Sequence, residues 1–87
     1  MARVTAWIKT RGASGEGAAL MVRTVAAGYS LDHAYMKETA IKGTTPWTRY
    51  TIDLPVRAGA DRMEVGVMLQ GPGSLWIDDV ELAFVTP

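Results

Sequence analysis

The stretch GPGSLWIDDVELAFV, residues 71–85, decides how this chain folds. Two adjacent carboxylates, Asp78 and Asp79, interrupt a run that is otherwise apolar. Ahead of them Leu75 and Ile77 hold the odd positions, and after them Val80, Leu82 and Phe84 hold the even ones. A strand buries one face by placing apolar side chains at every second residue, so a change of parity requires an extra residue, a β-bulge. The acidic pair sits where the parity changes. One carboxylate is then expected to point to solvent and the other to accept from nearby backbone N–H groups. Two chemical readings stay open beside this architectural one. A calcium-like cation would need more oxygens than two aspartates supply. A general acid and base would have to share a face, whereas neighbours on a strand point to opposite faces.

Working outward, a period of two recurs through most of the chain. In RVTAWIKT, Val4, Ala6 and Ile8 oppose Thr5, Trp7 and Lys9, and in AALMVRTV, Leu20 and Val22 oppose Met21 and Arg23. WTRYTIDLPV and RMEVGVMLQ alternate in the same way, and Pro55 ends the former. RGASGEG reads as a flexible turn between the first two strands, RAGAD as a second turn, and GPG as a tight connection into the last strand. AAGYSLDHAYMKETAIKG has no sustained period and reads as short strand pieces and a loop. No long segment carries a helical stripe. Strands this closely spaced, with turn signals between them, predict an all-β fold, an antiparallel β-sandwich occupying residues 1–87 as a single domain.

Composition narrows the function classes. A chain of 87 residues buries only about 60–65% of its unfolded surface. With no cysteine it has neither disulfides nor a thiolate zinc site to add stability. Nine basic residues balance nine acidic ones and are dispersed, which argues against nucleic acid as a partner of this chain. No apolar run is long enough to span a bilayer and no signal peptide precedes the first strand, so a cytoplasmic location is expected over a secreted one. His33, the single histidine, has no serine or cysteine nucleophile signature beside it and reads as a solvent-facing loop residue. GASGEG and GPG lack the strand-to-helix context of a phosphate loop. No catalytic residue, metal ligand or cofactor is assigned.

RVTAWIKT, AALMVR, IKGTTPWTRYTIDLPV and VGVMLQGPGSLWIDDVEL follow one another in an order that resembles galactose-binding-like jelly rolls. In particular the chain resembles the C-terminal part of a carbohydrate-binding-module-like domain, found alone or attached to AraC-type bacterial transcription regulators. The resemblance implies a jelly-roll-like sandwich that lacks the N-terminal strands of the full domain, and a carbohydrate or small organic ligand. It departs from the pattern in the irregular segment. Relatives there tend to have Asp-Asn-Met, and this chain reads Ala34, Tyr35, Met36.

If successive strands alternate between two sheets, AALMVRTV and RMEVGVMLQ share one. Its outer face then carries Met21, Arg23, Glu64, Met68 and Gln70, with Asp32, His33, Tyr35 and Met36 supplied nearby by the irregular segment. Polar groups beside apolar and aromatic surface suit a sugar or small organic ligand, so Met21, Arg23, Tyr35, Glu64, Met68 and Gln70 form the candidate ligand-binding set. Trp7 and Trp76 share the outer phase of the other sheet and are candidate interface residues for self-association. Trp47 and Tyr50 read as packing residues. A non-catalytic ligand-binding or sensing module is therefore expected first. A self-associating structural module comes next, and a cavity enzyme without a triad last.

Overall fold

The computed structural model describes residues 1–36 and 39–85. Five strands follow in order: β1 (Ala2–Ala26), β2 (Tyr29–Tyr35), β3 (Ile41–Leu54), β4 (Arg62–Gln70) and β5 (Ser74–Phe84). Every pairing is antiparallel, and no helix occurs among the described residues. The chain is all-β, as its two-residue period predicts.

β1 is the spine of the molecule. Residues 2–10 run between β3 and β5, and residues 21–25 run between β2 and β4. Val4, Ala6 and Ile8 from the first half and Ala18, Leu20 and Val22 from the second are buried in one apolar cluster, with Met36, Ile41 and Leu54. Two three-stranded leaves therefore close on a shared core, and the one strand central to both joins them.

That continuity corrects the expected turn at RGASGEG. Gly12, Gly15 and Gly17 take φ of +62°, +67° and +80°, and β1 runs on through them from Ala2 to Ala26, so the chain bends there without reversing. On either side of the bend Ala13 and Ala18 still pair with β3, through Gly43 and Ile41. The bend is pinned from the GPG connection, where the Ser14 N–H donates to the Pro72 carbonyl at 3.1 Å. β3 also starts earlier than the sequence suggests, at Ile41 rather than at Trp47. The hydroxyl of fully buried Thr10 holds that early part, donating to the Gly43 carbonyl at 3.1 Å and lying 2.8 Å from the Thr45 hydroxyl. Polar side chains there serve the ladder, which is why the apolar alternation does not reveal it.

Along β5, Thr5 faces Glu81 and Trp7 faces Asp78, which leaves Asp79 and Val80 together opposite Ala6. Asp79 has a φ of +52°, and its N–H is held by the Asp78 carboxylate at 2.8 Å. Leu75 and Ile77 before the irregularity stand opposite the buried Thr10 and Ile8, and Leu82 and Phe84 after it stand opposite the buried Val4 and Ala2. Directly opposed residues share a face, so all four lie on the core side of the leaf. Coverage is nonetheless uneven. Leu54 of β3 is buried, whereas on β5 Leu82 keeps 44% and Phe84 70% of its surface in solvent. Leu75 packs against the core, and the inner side of β5 beyond it is thus an exposed apolar surface.

Candidate functional site

The outer face of the β2–β1–β4 leaf brings together side chains from three strands. Register places Met21 between Tyr35 and Gly66, Arg23 between His33 and Glu64, Ala19 opposite Met68, and Gly17 opposite Gln70. Cross-strand neighbours in direct register project from the same side, so these residues form one surface. His33 and Tyr35, two apart on β2, stack their rings 6.4 Å apart at 21°. A shallow hollow of about 270 Å³ is lined by Met21, Arg23, Ser30, His33, Ala34, Tyr35 and Met68. A second hollow of about 420 Å³ lies across Tyr35, reaching Glu16, Lys42 and Gln70. Beside this surface a Cβ at Gly66 would meet Met21 only at ordinary contact distance, 3.6 Å from its Cγ.

Arg23 is fixed by charge. Its guanidinium bonds the Glu64 carboxylate, which Arg62 also reaches at 3.1 Å. The Arg23 hydrogen bond, aided by the charges of both arginines, holds the Glu64 carboxyl below its usual range. Glu64 lines neither hollow; it anchors Arg23 across the strand pair. Two neighbours expected on this face lie elsewhere. Asp32 falls opposite Thr24 on the core-side phase and forms a paired ion bridge to Arg57, at 2.8 and 2.9 Å. Met36 is buried in the core, its N–H donating to the Leu20 carbonyl at 3.1 Å. Both follow from alternation along the end of β2 and into the residue after it, which sends Asp32, Ala34 and Met36 one way and His33 and Tyr35 the other.

The other leaf carries a different surface. Trp7, Trp47 and Trp76 are each about two-fifths exposed on its outer side. Trp76 stands opposite Lys9, whose ammonium sits 5.2 Å from the indole centroid. A hollow of about 240 Å³ is lined by Trp7, Trp47, Asp78 and Asp79. The expectation that Trp47 packs in the core is corrected here. Ile8 pairs with Thr48 and Thr10 with Thr45, so Pro46 and Trp47 both stand opposite Lys9, and the irregularity turns Trp47 outward. Tyr50, opposite the buried Ala6, does pack against the core.

No family model and no solved structure matches the chain. Among curated proteins, it is 36% identical over 78 residues to YbfP of Bacillus subtilis (strain 168), named as an uncharacterized HTH-type transcriptional regulator. The match covers 90% of this chain and 26% of that regulator, so the chain spans about a quarter of its relative's length.

Sequence reasoning missed the places of Ser30 and Lys42, and it set His33 near this face without placing it in a strand. His33 read as a loop residue because the AAGYSLDHAYM segment lacks apolar alternation, yet it lies in the strand that pairs with β1. The available signal was the spacing of His33 and Tyr35, which places two rings on one side of any strand. Among the described residues no group of His, Cys, Asp and Glu is arranged to hold a metal ion. Nor is any helix long and apolar enough to cross a membrane.

Proposed function

We propose that this chain is a non-catalytic ligand-sensing β-module of a bacterial transcription regulator, and that its ligand is a sugar or another small organic molecule. The observation that carries the reading is the hollow over β2, β1 and β4. There an arginine held by Glu64 stands beside stacked His33 and Tyr35 rings and two methionines. Such a surface offers donors for hydroxyl or carboxylate oxygens and flat apolar area for C–H faces. The regulatory context rests on the likeness to YbfP, and a cytoplasmic location follows from that context. Met21, Arg23, Tyr35 and Met68 contact the ligand in this reading, Gln70 does so where the ligand extends into the second hollow, and Glu64 acts by orienting Arg23.

The test is a thermal-shift screen against sugars and organic acids, followed by calorimetric titration of the best ligand. Arg23→Ala is expected to weaken binding about tenfold or more, the loss of a charge-assisted hydrogen bond worth about 1.5–3 kcal/mol. It should change stability little, because both partners of this ion pair are exposed. Equal affinity of the variant and the parent would defeat the assignment.

A second reading, self-association, is favoured by the apolar inner side of β5. Ile77, Val80, Leu82 and Phe84 are exposed together along it. The radius of gyration is 13.5 Å, against about 12 Å for a compact chain of this length. A second copy seated there would close the sandwich, with Trp7 and Trp76 on the outside as further contacts. Light scattering over a wide dilution range is expected to give a dimer mass that falls at low concentration. A constant monomer mass would exclude this reading.

A further inference from the structure

We propose that the hollow between Trp7, Trp47, Asp78 and Asp79 is a binding site for a small organic cation of the alkylated-ammonium class. It lies on the leaf opposite the proposed ligand face and is independent of it. Two observations carry the inference. The first is the direction of the two carboxylates. Successive residues of a regular strand point to opposite faces, yet Asp78 and Asp79 line one hollow. The positive φ of Asp79 at the irregularity in β5 breaks the alternation and brings both acids to the outer side.

The second is what surrounds them. Trp7 lies directly opposite Asp78 on β1, and Trp47 comes from the irregularity in β3 on the other side of β1. Two indoles and two carboxylates thus meet from three strands. An indole face carries negative quadrupole density and attracts a cation within about 6 Å of its centroid, most effectively when that cation sheds water readily. None of the basic side chains of this leaf lines the hollow, although Arg49 stands opposite Trp7 and has no ion-pair partner among the described residues. Arg3 pairs with Asp53 at 2.9 and 3.1 Å, and Lys9 lies over Trp76. Neither Asp78 nor Asp79 has an ion-pair partner among the described residues. A neutral ligand would satisfy the indoles and leave two negative charges without a counter-charge. A hard metal ion would satisfy the charges and gain little from the indoles. An alkylated ammonium uses both, and a hollow of about 240 Å³ accommodates one such head group.

The test uses choline as the probe and its neutral carbon isostere, of the same shape without the charge, as the comparison. In a heteronuclear NMR titration of the intact chain, choline is expected to shift the indole N–H signals of Trp7 and Trp47 and the amide of Asp79 saturably. The neutral isostere and potassium chloride at equal concentration should not. The double variant Asp78→Asn/Asp79→Asn and the single variant Trp47→Leu should each weaken choline binding at least tenfold. Arg23→Ala, on the other leaf, should leave it unchanged. Asparagine retains an oxygen for the bond to the residue-79 N–H and tolerates a positive φ, so the double variant keeps the backbone of β5. A matching melting curve verifies this. Equal response to choline and its isostere, equal affinity in the variants, or no saturable shift would overturn the proposal. Loss of choline binding in Arg23→Ala would overturn the independence of the two faces.

Discussion

Gly71→Ala is expected to cost at least about 3 kcal/mol, because backbone conformation and steric fit both act against it. Gly71 has a φ of +138°, which side-chain-bearing residues rarely adopt. A Cβ built there would lie 2.3 Å from the Ser14 carbonyl oxygen and 3.2 Å from the Gly15 Cα. Both neighbours are backbone atoms in the bend of β1, and Ser14 is tied to the same connection by its bond to Pro72. Relief would therefore separate the β4–β5 connection from the spine that joins the leaves. For a chain of this size each kcal/mol lowers the melting temperature by about 4–8 °C, so a drop of about 12–24 °C should appear by calorimetry. Gly28→Ala separates the two causes. Its φ is +83°, but nothing lies within 4 Å of the added carbon. It should lose only the left-handed penalty of about 1–2 kcal/mol. Similar losses in the two variants would show that close approach at Gly71 contributes nothing.

Leu20→Ala is expected to destabilise the protein by about 3 kcal/mol, within the range for removing a fully buried leucine. Leu20 is 0% exposed, faces Val67 across the β1–β4 pair, and belongs to the cluster that joins both leaves. The informative comparison is Leu82→Ala. Leu82 also lies on the core-side phase, opposite Val4, but is 44% exposed. Roughly half the burial means roughly half the transfer loss, and an open site leaves little cavity, so about 1 kcal/mol is expected. The difference should be read by urea denaturation at low protein concentration. If a second copy covers β5, the cost of Leu82→Ala should rise with protein concentration while that of Leu20→Ala follows burial alone.

The alternation of apolar and polar residues is a local property, and it carried most of the strand reading. RMEVGVMLQ is β4 from end to end, and the parity change around Asp78 and Asp79 falls where the register of β5 shifts. Where strands are held by hydroxyls, as at Thr10, Thr44 and Thr45, the local signal weakens, and the start of β3 was not legible. Glycines in RGASGEG look the same whether they reverse a chain or bend it. Only the pairing of Ala13 and Ala18 with the same strand distinguishes the two.

By itself the sequence determined the all-β class, the positions of most strands, and which side chains alternate toward a core. It also placed Met21 and Arg23 on one side of a strand, and Glu64 and Met68 on one side of another. Tertiary structure decided which strands meet and in what register. That brought His33 opposite Arg23, drew Glu64 onto Arg23 and left the inner side of β5 beyond Leu75 exposed. It also turned Asp78 and Asp79 into one hollow with Trp7 and Trp47. The physical reason is one of range. Alternation follows from backbone geometry within a few residues, whereas register is set by packing and hydrogen bonds between segments tens of residues apart.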